Sequence, residues 1–231
     1  SHPISGCRMK IDNFILSQAE KKIALHVFTP KEMQVVLGAS NEAHLEAHVD
    51  LCQKDKVLIV KRLGGGGTVL LYPGCVVVSL GLWVNDHYNN SLYFRLINQA
   101  INRSLLKLSP KLAALTQNGI SDIVFENKKI AGTSMFRSRN YLLYQASILV
   151  ENQIDLISRY LKHPSREPEY REARSHDDFL GFLADIAMLN TDQVTLNLHL
   201  NLLAELDYLL ADQLSEPQKE QIKHILSKIK N

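Results

Sequence analysis

Several features that mark specialised classes of protein are scarce in this sequence. Its 231 residues include only three cysteines, Cys7, Cys52 and Cys75, which are widely spaced and form no CxxC pair. Such a set indicates a reducing compartment rather than a disulfide framework, so a cytoplasmic location is expected. No apolar run approaches the roughly 20 residues that cross a bilayer, and residues 1–10 lack the apolar stretch of a signal peptide. We therefore expect neither a membrane protein nor a secreted one.

An excess of charge of one sign is also lacking. Lys and Arg total 26, Asp and Glu total 24, and the formal net charge is +2. This near balance gives no electrostatic reason to expect nucleic acid or an anionic membrane as the main partner. Hydrophobic residues make up 45% and charged residues 22% of the chain, which excludes a disordered or fibrous protein. The length predicts one large domain, with room for an appendage.

The pattern of apolar residues predicts strands mainly in the first half and helices mainly in the second. Short β-branched runs predict strands at 22–29, 33–37, 57–61, 68–72, 75–82, 120–125, 129–131 and 141–150. Helical spacing predicts helices at 41–53, 91–108, 154–161, 177–188, 194–210 and 216–229, with Ser91 as the N-cap of the second. Regular strand–helix–strand repeats are missing, so this order predicts an α+β fold.

The most informative segment joins two of the predicted strands and reads Lys61-Arg62-Leu63-Gly64-Gly65-Gly66-Gly67-Thr68-Val69. Glycine reaches positive φ at little cost and lets a ligand approach the backbone, so this loop can surround a phosphate or carboxylate with N–H groups. Arg62 adds a permanent cation for the same anion. For a bare glycine run, a flexible hairpin loop is the simpler interpretation. The segment matches neither the P-loop nor the dinucleotide-binding motif.

Two motifs together resemble those of the lipoate–protein ligase A family. The first is the glycine segment, with its two preceding basic residues, Thr68-Val69, and then Pro73-Gly74-Cys75. The second begins at Gly119-Ile120-Ser121-Asp122-Ile123 and resumes at Lys128-Lys129-Ile130-Ala131-Gly132-Thr133-Ser134. The following segments 141–149, 160–162, 168–171 and 174–176 also resemble parts of some members. In total the resemblance covers residues 35–183, which is most of the chain.

The resemblance implies a fold and an activity. The fold would be a biotin/lipoate-protein-ligase-like α+β (α/β) catalytic domain, with a mixed β-sheet flanked by helices. ATP, with Mg²⁺, would activate lipoate or octanoate as an acyl-adenylate, and a lysine of an acceptor domain would take the acyl group as an amide. The implied acceptors are lipoyl domains of 2-oxoacid dehydrogenase complexes or the glycine cleavage H protein. We expect the enzyme to be a monomer.

The resemblance also implies roles for individual residues. Lys129 would contact the carboxylate and the α-phosphate, where cations and N–H donors stabilise the developing charge. On composition alone, Lys129 would instead be a solvated lysine at a strand end. Asp122 would bind Mg²⁺ or the attacking amine, although a turn or capping role fits it nearly as well. The phosphate and adenylate would be held by Arg62 and the backbone of Gly65, Gly66, Gly67, Thr68, Val69 and Leu70. Further substrate candidates are Ser121, Gly132, Tyr144 and Cys75.

The sequence departs from the family pattern at three places. Leu71 stands where many members have His, Cys75 where they have Asn, and Tyr144-Gln145-Ala146-Ser147 where they often have His-His-Gly-Thr. Two alternatives therefore stay open. One is a cofactor-free octanoyl- or lipoyltransferase that uses a cysteine thioester, for which Cys75 is the only candidate beside the motifs. The other is a degenerate, non-catalytic protein that binds acyl groups or lipoyl domains.

The end of the chain lies outside the resemblance. The sequence predicts a catalytic domain at residues 1–190 and, at 191–231, a helical hairpin that packs on it. A lone i,i+4 histidine pair, His44 and His48, has no evident third ligand, so a solvated helix face is expected there rather than a metal site.

Overall fold

The computed structural model describes residues 9–18, 22–85 and 89–229, so Cys7 lies outside the described residues. The strands within these ranges are β1 (Ala24–Phe28), β2 (Gln34–Leu37), β3 (Leu58–Lys61), β4 (Val69–Leu71), β5 (Cys75–Trp83), β6 (Thr116–Asn118), β7 (Asp122–Phe125), β8 (Lys128–Ser138) and β9 (Tyr141–Leu149). The α-helices are α1 (Lys10–Gln18), α2 (Ala43–Glu46), α3 (Val49–Lys54), α4 (Asn90–Leu106), α5 (Ile154–Tyr160), α6 (His176–Phe179), α7 (Leu183–Ala187), α8 (Thr191–Leu209) and α9 (Glu216–Ile229). Helices and strands share one fold, as an α+β class requires.

The strands form two sheets. The large sheet has six antiparallel strands in the order β1-β5-β9-β8-β7-β6. The small sheet has the order β3-β2-β4, and it is the mixed one because β2 is parallel to β3 and antiparallel to β4. The glycine segment connects β3 to β4, so the small sheet holds both ends of that segment.

The two faces of the large sheet differ in their surroundings. One face, the core face, packs beneath α4 and α8, and strand residues such as Val78, Leu142 and Ile148 join buried helix residues there in one apolar cluster. Successive side chains of a strand point to opposite faces. The other face, the loop face, therefore carries Ser79, Gly132, Ser134, Gln145 and Ser147, and it lies towards the small sheet and the glycine segment.

Two predicted helices are each divided in the structure. Residues 41–53 form α2 and α3 because Ala47 pairs with Leu161, and the His48 N–H donates to the Tyr160 carbonyl at 2.9 Å. Residues 177–188 form α6 and α7 because Leu180 pairs with Lys129 of β8. The prediction of single helices was wrong at both places, since backbone pairing with a distant segment interrupts them.

Other elements follow the predictions more closely. α4 begins one residue earlier than predicted, and its N-cap is Asn89, whose Oδ1 accepts the Leu92 N–H at 3.1 Å, rather than Ser91. α8 packs on α4, and apolar residues of α8 and α9 belong to the cluster on the core face. The division of the chain at residue 190 stays a prediction. Among the described residues, the helices are too short or too polar to cross a membrane.

Candidate functional site

The glycine loop, residues Gly64 to Gly67, lies over the end of β2. The Gly64 carbonyl accepts the Ala39 N–H at 3.0 Å, and Asn41 Nδ2 donates to Thr68 Oγ1 at 3.3 Å. A side chain at Gly38 would place its Cβ 2.2 Å from the Gly66 carbonyl oxygen. Gly38 is therefore required for the loop to lie this close, and the segment 38–41 fixes both ends of the loop.

The four glycines of the loop serve different purposes. A Cβ at Gly64 would come within 3.0 Å of Ser134 on β8, so Gly64 allows the loop to contact the loop face. Gly66 has φ of +96°, a conformation that side chains disfavour. Gly65 and Gly67 are exposed and have open space around them. Their backbone is accessible to a ligand, as an anion-binding loop requires.

Arg62 organises this loop from inside. Its side chain is buried, and Nη2 donates to the carbonyls of Gly65 and Gly67 at 2.8 and 2.7 Å. Burial lowers the pKa of Arg62 to about 10, and the nearby Asp12 opposes the shift, so the guanidinium stays charged at neutral pH. Two of the loop carbonyls thus turn inward to the arginine. Direct contact of Arg62 with a bound anion stays a prediction.

Thr68, Val69 and Leu70 lead from the loop into β4. Val69 and Leu70 pair with β2, and β4 is an edge strand of the small sheet. An edge strand leaves part of its backbone unpaired, which is compatible with the predicted ligand contacts. Those contacts stay a prediction.

A β-bulge in β8 places Lys129 and Gly132 on the same face. The pairing of β8 with β7 shifts at Ile123 and Val124, and Ile130 and Ala131 both enter the core cluster. A bulge of this kind reverses the alternation of side chains along a strand. An ideal Cβ at Gly132 would lie 3.2 Å from Lys129 Nζ, so the ammonium group lies directly over the glycine. The next residue of β8, Thr133, has its carbonyl oxygen 3.7 Å from the position that a Cβ at Gly66 would take.

The Lys129 ammonium group forms an ion pair with the predicted site residue Asp122. Lys129 Nζ is 2.9 Å from Asp122 Oδ1, and both side chains are mostly buried. The other carboxylate oxygen, Oδ2, accepts a hydrogen bond from the Tyr170 hydroxyl at 2.8 Å. Both oxygens of Asp122 therefore have a partner. Mg²⁺ binding by Asp122 stays a prediction, and the ion would share the carboxylate with Lys129 and Tyr170.

Ser121 and Tyr144 belong to a hydrogen-bond network that joins the residue next to Asp122 to the core face. The Ser121 carbonyl accepts hydrogen bonds from Thr133 Oγ1 at 2.7 Å and from Asn98 Nδ2 at 2.9 Å. The hydroxyl of Tyr144 donates to Asn98 Oδ1 at 2.6 Å. Tyr144 is fully buried on the core face, away from the glycine loop. Its contact with the site passes through Asn98 and the Ser121 backbone.

The departures from the family pattern are internal residues. Leu71 and Cys75 are buried between the two sheets, and burial raises the pKa of the Cys75 thiol to about 12. Gln145, in the position of a family histidine, donates to Asp12 Oδ1 at 2.8 Å. The other oxygen of Asp12 accepts the Leu63 N–H at 2.9 Å. One buried carboxylate of α1 thus connects β9 with the base of the glycine loop.

Sequence reasoning missed several of these residues. α1, which carries Asp12, was not predicted as a helix, and Tyr170 lay in a segment that resembled the family without an assigned role. Gly38 lies directly after a predicted strand, and a glycine at that position could have indicated that another part of the backbone packs closely there. His44 is exposed and lies 3.6 Å from Glu42, which agrees with a solvated histidine. The described residues contain no cluster of His, Cys, Asp and Glu that could hold a metal ion.

Two open clefts lie away from this arrangement. One of about 630 Å³ is bounded by α1, β1, α8 and α9, and one of about 310 Å³ is bounded by the β7–β8 turn and helices α6 and α7. Neither is lined by the glycine loop, Arg62, Asp122 or Lys129. We place the candidate site at the motif residues, because they bring together backbone donors and a cation as anion binding requires.

Comparison with known proteins identifies the class to which this arrangement belongs. Residues 7–205 match the family model of the lipoyl protein ligase A/B catalytic domain. The match covers most of the chain, and the chain therefore belongs to this family. Its fold agrees with solved lipoate–protein ligases. It superposes with a TM-score of 0.69 and 22% identity on a bi-partite lipoate protein ligase from Thermoplasma acidophilum, covering 94% of this chain and 85% of that one.

The relatives within this family are not all described as active ligases. The chain is 26% identical over 174 residues to lipoate-protein ligase A subunit 1 of Thermoplasma acidophilum, across 72% of this chain and 66% of the relative. It is 25% identical to the inactive lipoate–protein ligase 2 of Plasmodium falciparum, across 63% of this chain and 46% of the relative. A lipoate-protein ligase A bound with ATP superposes with a TM-score of 0.69 at 21% identity, over 94% of this chain and 87% of that one.

Proposed function

We propose that this chain is an enzyme that attaches lipoate or octanoate to a lysine of a lipoyl domain, through an ATP-derived acyl-adenylate. The observation that carries the proposal is the position of Lys129. Its ammonium lies over Gly132 on the loop face, and Ser134, two residues further along β8 on that face, lies against Gly64 of the glycine loop. Gly65 and Gly67 of this loop are exposed and unobstructed. A cation and backbone N–H groups at one place favour binding of a carboxylate and a phosphate.

The relatives support the ligands of the proposal. One solved relative is described with bound lipoic acid, another with bound ATP, and a third together with an E2 lipoyl domain. In this chain, the glycine loop would hold the phosphate and Lys129 would neutralise the carboxylate. ATP supplies the adenylate group when bound. Mg²⁺ would enter with the nucleotide phosphates, and Asp122 would be the carboxylate available to it in the second motif. We expect a monomer that acts in the cytoplasm.

The thioester alternative has little support from the cysteines that the structure describes. Cys52 and Cys75 are both buried, and burial raises the pKa of each thiol. A thioester mechanism needs a thiolate, which such a group does not supply near neutral pH. The adenylate route requires no cysteine, and we favour it for that reason.

A non-catalytic role is the second candidate, and one observation favours it. Leu71 and Gln145 stand where many family members have His, and both are buried, so neither position offers an imidazole to the site. The inactive relative from Plasmodium falciparum shows that the family includes proteins without ligase activity. Turnover and binding must therefore be measured separately.

The test is transfer of lipoate to a purified lipoyl domain, followed by the mass of the domain, with and without ATP and Mg²⁺. We expect modification only with ATP, and a loss of about 100-fold or more for Lys129→Ala, because a charge-stabilising group is removed. Lys128→Ala is the matched control, since Lys128 is exposed on the same strand, and it should retain activity within a few-fold.

Two results would contradict the proposal. Transfer from an acyl-carrier donor that does not depend on ATP would identify a transferase. Binding of the lipoyl domain without any turnover, unaffected by Lys129→Ala, would identify a non-catalytic protein.

A further inference from the structure

Tyr170 meets the ion pair of the candidate site from a distant part of the chain. Its hydroxyl donates to Asp122 Oδ2 at 2.8 Å, while Asp122 Oδ1 lies 2.9 Å from Lys129 Nζ. Burial and the neighbouring carboxylate raise the pKa of Tyr170, so the hydroxyl keeps its proton and remains a donor. The three groups form a continuous chain from tyrosine to carboxylate to ammonium.

The Tyr170 ring is fixed on one side by a glycine of the second motif. Gly119 has φ of +59°, and a Cβ built there would lie 3.2 Å from Tyr170 Cε1. The same built Cβ would lie 3.4 Å from Pro168 Cβ. Gly119 thus leaves the space that the tyrosine ring uses to reach Asp122. The need for this space explains why the second motif begins with a glycine.

The backbone of Tyr170 is fixed on the other side. It lies in a 3₁₀ turn, Glu169–Arg171, and its carbonyl accepts a hydrogen bond from Arg174 Nη2 at 2.7 Å. The Tyr170 and Phe179 ring centroids are 5.2 Å apart. The Arg171 and Arg174 guanidinium groups lie over Phe179, at 4.7 and 5.2 Å from its centroid. Tyr170 is therefore held by a backbone hydrogen bond and by packing of its ring against Phe179.

We infer that Tyr170 is a positioning residue for the candidate site. Its hydroxyl holds one oxygen of Asp122, so the other oxygen stays directed at Lys129, and the segment 167–179 is thereby linked to the lysine. A carboxylate held by two donors cannot rotate freely, and hydrogen bonds to charged groups are the stronger kind. The effect of Tyr170 on turnover rests on the proposed function. Its effect on the ion pair does not.

The molecule contains a matched arrangement away from the motifs. The Tyr160 hydroxyl donates to Asp55 Oδ2 at 2.9 Å, and Arg159 Nη2 lies 2.7 Å from the same oxygen. Asp55 follows α3, and these residues contact none of the predicted site residues through these bonds. Tyr160→Phe therefore removes the same kind of tyrosine–carboxylate bond and serves as the control for Tyr170→Phe.

The first measurement is the kinetics of lipoate transfer by purified full-length variants. Tyr170→Phe should lower kcat about tenfold, the effect of one hydrogen bond to a charged group, with the KM for lipoate within about twofold. The double variant Tyr170→Phe/Asp122→Asn should be no slower than Asp122→Asn alone, because both act through one contact. Tyr160→Phe should leave kcat unchanged. Effects that multiply, or a Tyr170→Phe enzyme as active as the parent, would overturn the proposal.

The second measurement does not require ligase activity. Limited acetylation with an N-hydroxysuccinimide ester, read by peptide mass spectrometry, reports how well the ion pair protects Lys129. Tyr170→Phe should raise the acetylation rate of Lys129 about threefold or more relative to Lys128, and Tyr160→Phe should not. An unchanged rate at Lys129 would refute the positioning role. If the rate rises but the parent protein shows no transfer, the positioning role holds and the proposed ligase activity fails.

Discussion

The two faces of the large sheet show how one set of strands can present an apolar surface on one side and polar residues on the other. On the core face, β5 and β9 contribute only apolar side chains and Tyr144 to a cluster with α4 and α8. On the loop face, the same strands carry Ser79, Gln145 and Ser147. Gln145 donates to Asp12 of α1 and to Ser79, whereas the apolar side chains of the core face exclude water. The loop face also carries apolar residues, such as Val77 and Leu149, that pack in a second cluster with the small sheet. The alternation of the strands thus confines the polar residues to one face, and each face can be tested separately.

The largest expected difference is in stability. Ile101 of α4 is fully buried on the core face, so Ile101→Ala should lower the free energy of unfolding by about 2–5 kcal/mol. Ser147→Ala, on the loop face, should change it by less than about 0.5 kcal/mol. Chemical denaturation measures both values. Equal losses at the two positions would show that the loop face contributes to the core as much as the helix-covered face does.

A smaller difference is expected within the glycine loop. Gly66→Ala forces a side chain into a positive-φ conformation and should cost about 1–2 kcal/mol of stability. Gly65 has open space around it, so Gly65→Ala should leave the stability nearly unchanged and is the matched control. Thermal unfolding of the two variants measures this. If Gly65→Ala were the more damaging, the loop would have a different conformation from the one described.

The smallest expected effect is a pH dependence of stability that arises from His176, a residue near Lys129 of the candidate site. Burial, followed by the charges of Arg171 and His163, lowers the pKa of His176 to about 4. Lys129 lowers the pKa further, whereas Asp177 raises it. The unfolded chain then binds more protons than the folded protein between about pH 6.5 and pH 4. Stability should therefore fall as the pH decreases through this window.

Denaturation at pH 7 and pH 5 tests this dependence. The parent protein should lose about 1 kcal/mol more than a His176→Asn variant, after allowance for solvent screening of this partly exposed group. A parent and variant that lose the same amount would show that His176 is protonated equally in the folded and unfolded states.

The sequence predicts most of the helices and strands and the residues of the motifs, but not the contacts between distant segments that bring these residues together. Short β-branched runs located the strands from β1 to β5, and a long, regular helical spacing of apolar residues located α4, α8 and α9. Neither pattern could show the bulge at Ile130, which brings Lys129 and Gly132 to one face, since a bulge depends on pairing with β7. The breaks after α2 and α6 have the same cause, because each arises from a backbone contact with a remote segment.

The residues that support the site were hidden for a related reason. Tyr170 is 48 positions from Asp122 in the chain, and Asn98 is 23 positions from Ser121. No local pattern distinguishes a tyrosine or an asparagine that reaches a distant motif from one that faces solvent. Arg62 was recognised as part of the loop. That its guanidinium group faces the loop carbonyls follows only from the folded arrangement.

The buried carboxylate of Asp12 has a consequence for the order in which the protein is built. Its two oxygens accept hydrogen bonds from Leu63 and Gln145, which are 51 and 133 positions away in the chain. On a ribosome, the residues of the glycine loop leave the exit tunnel long before Gln145 does. Contacts between distant parts of a chain form slowly. The glycine loop, although made early, is therefore connected through Asp12 to β9 only when this last strand of the sheet has been synthesised.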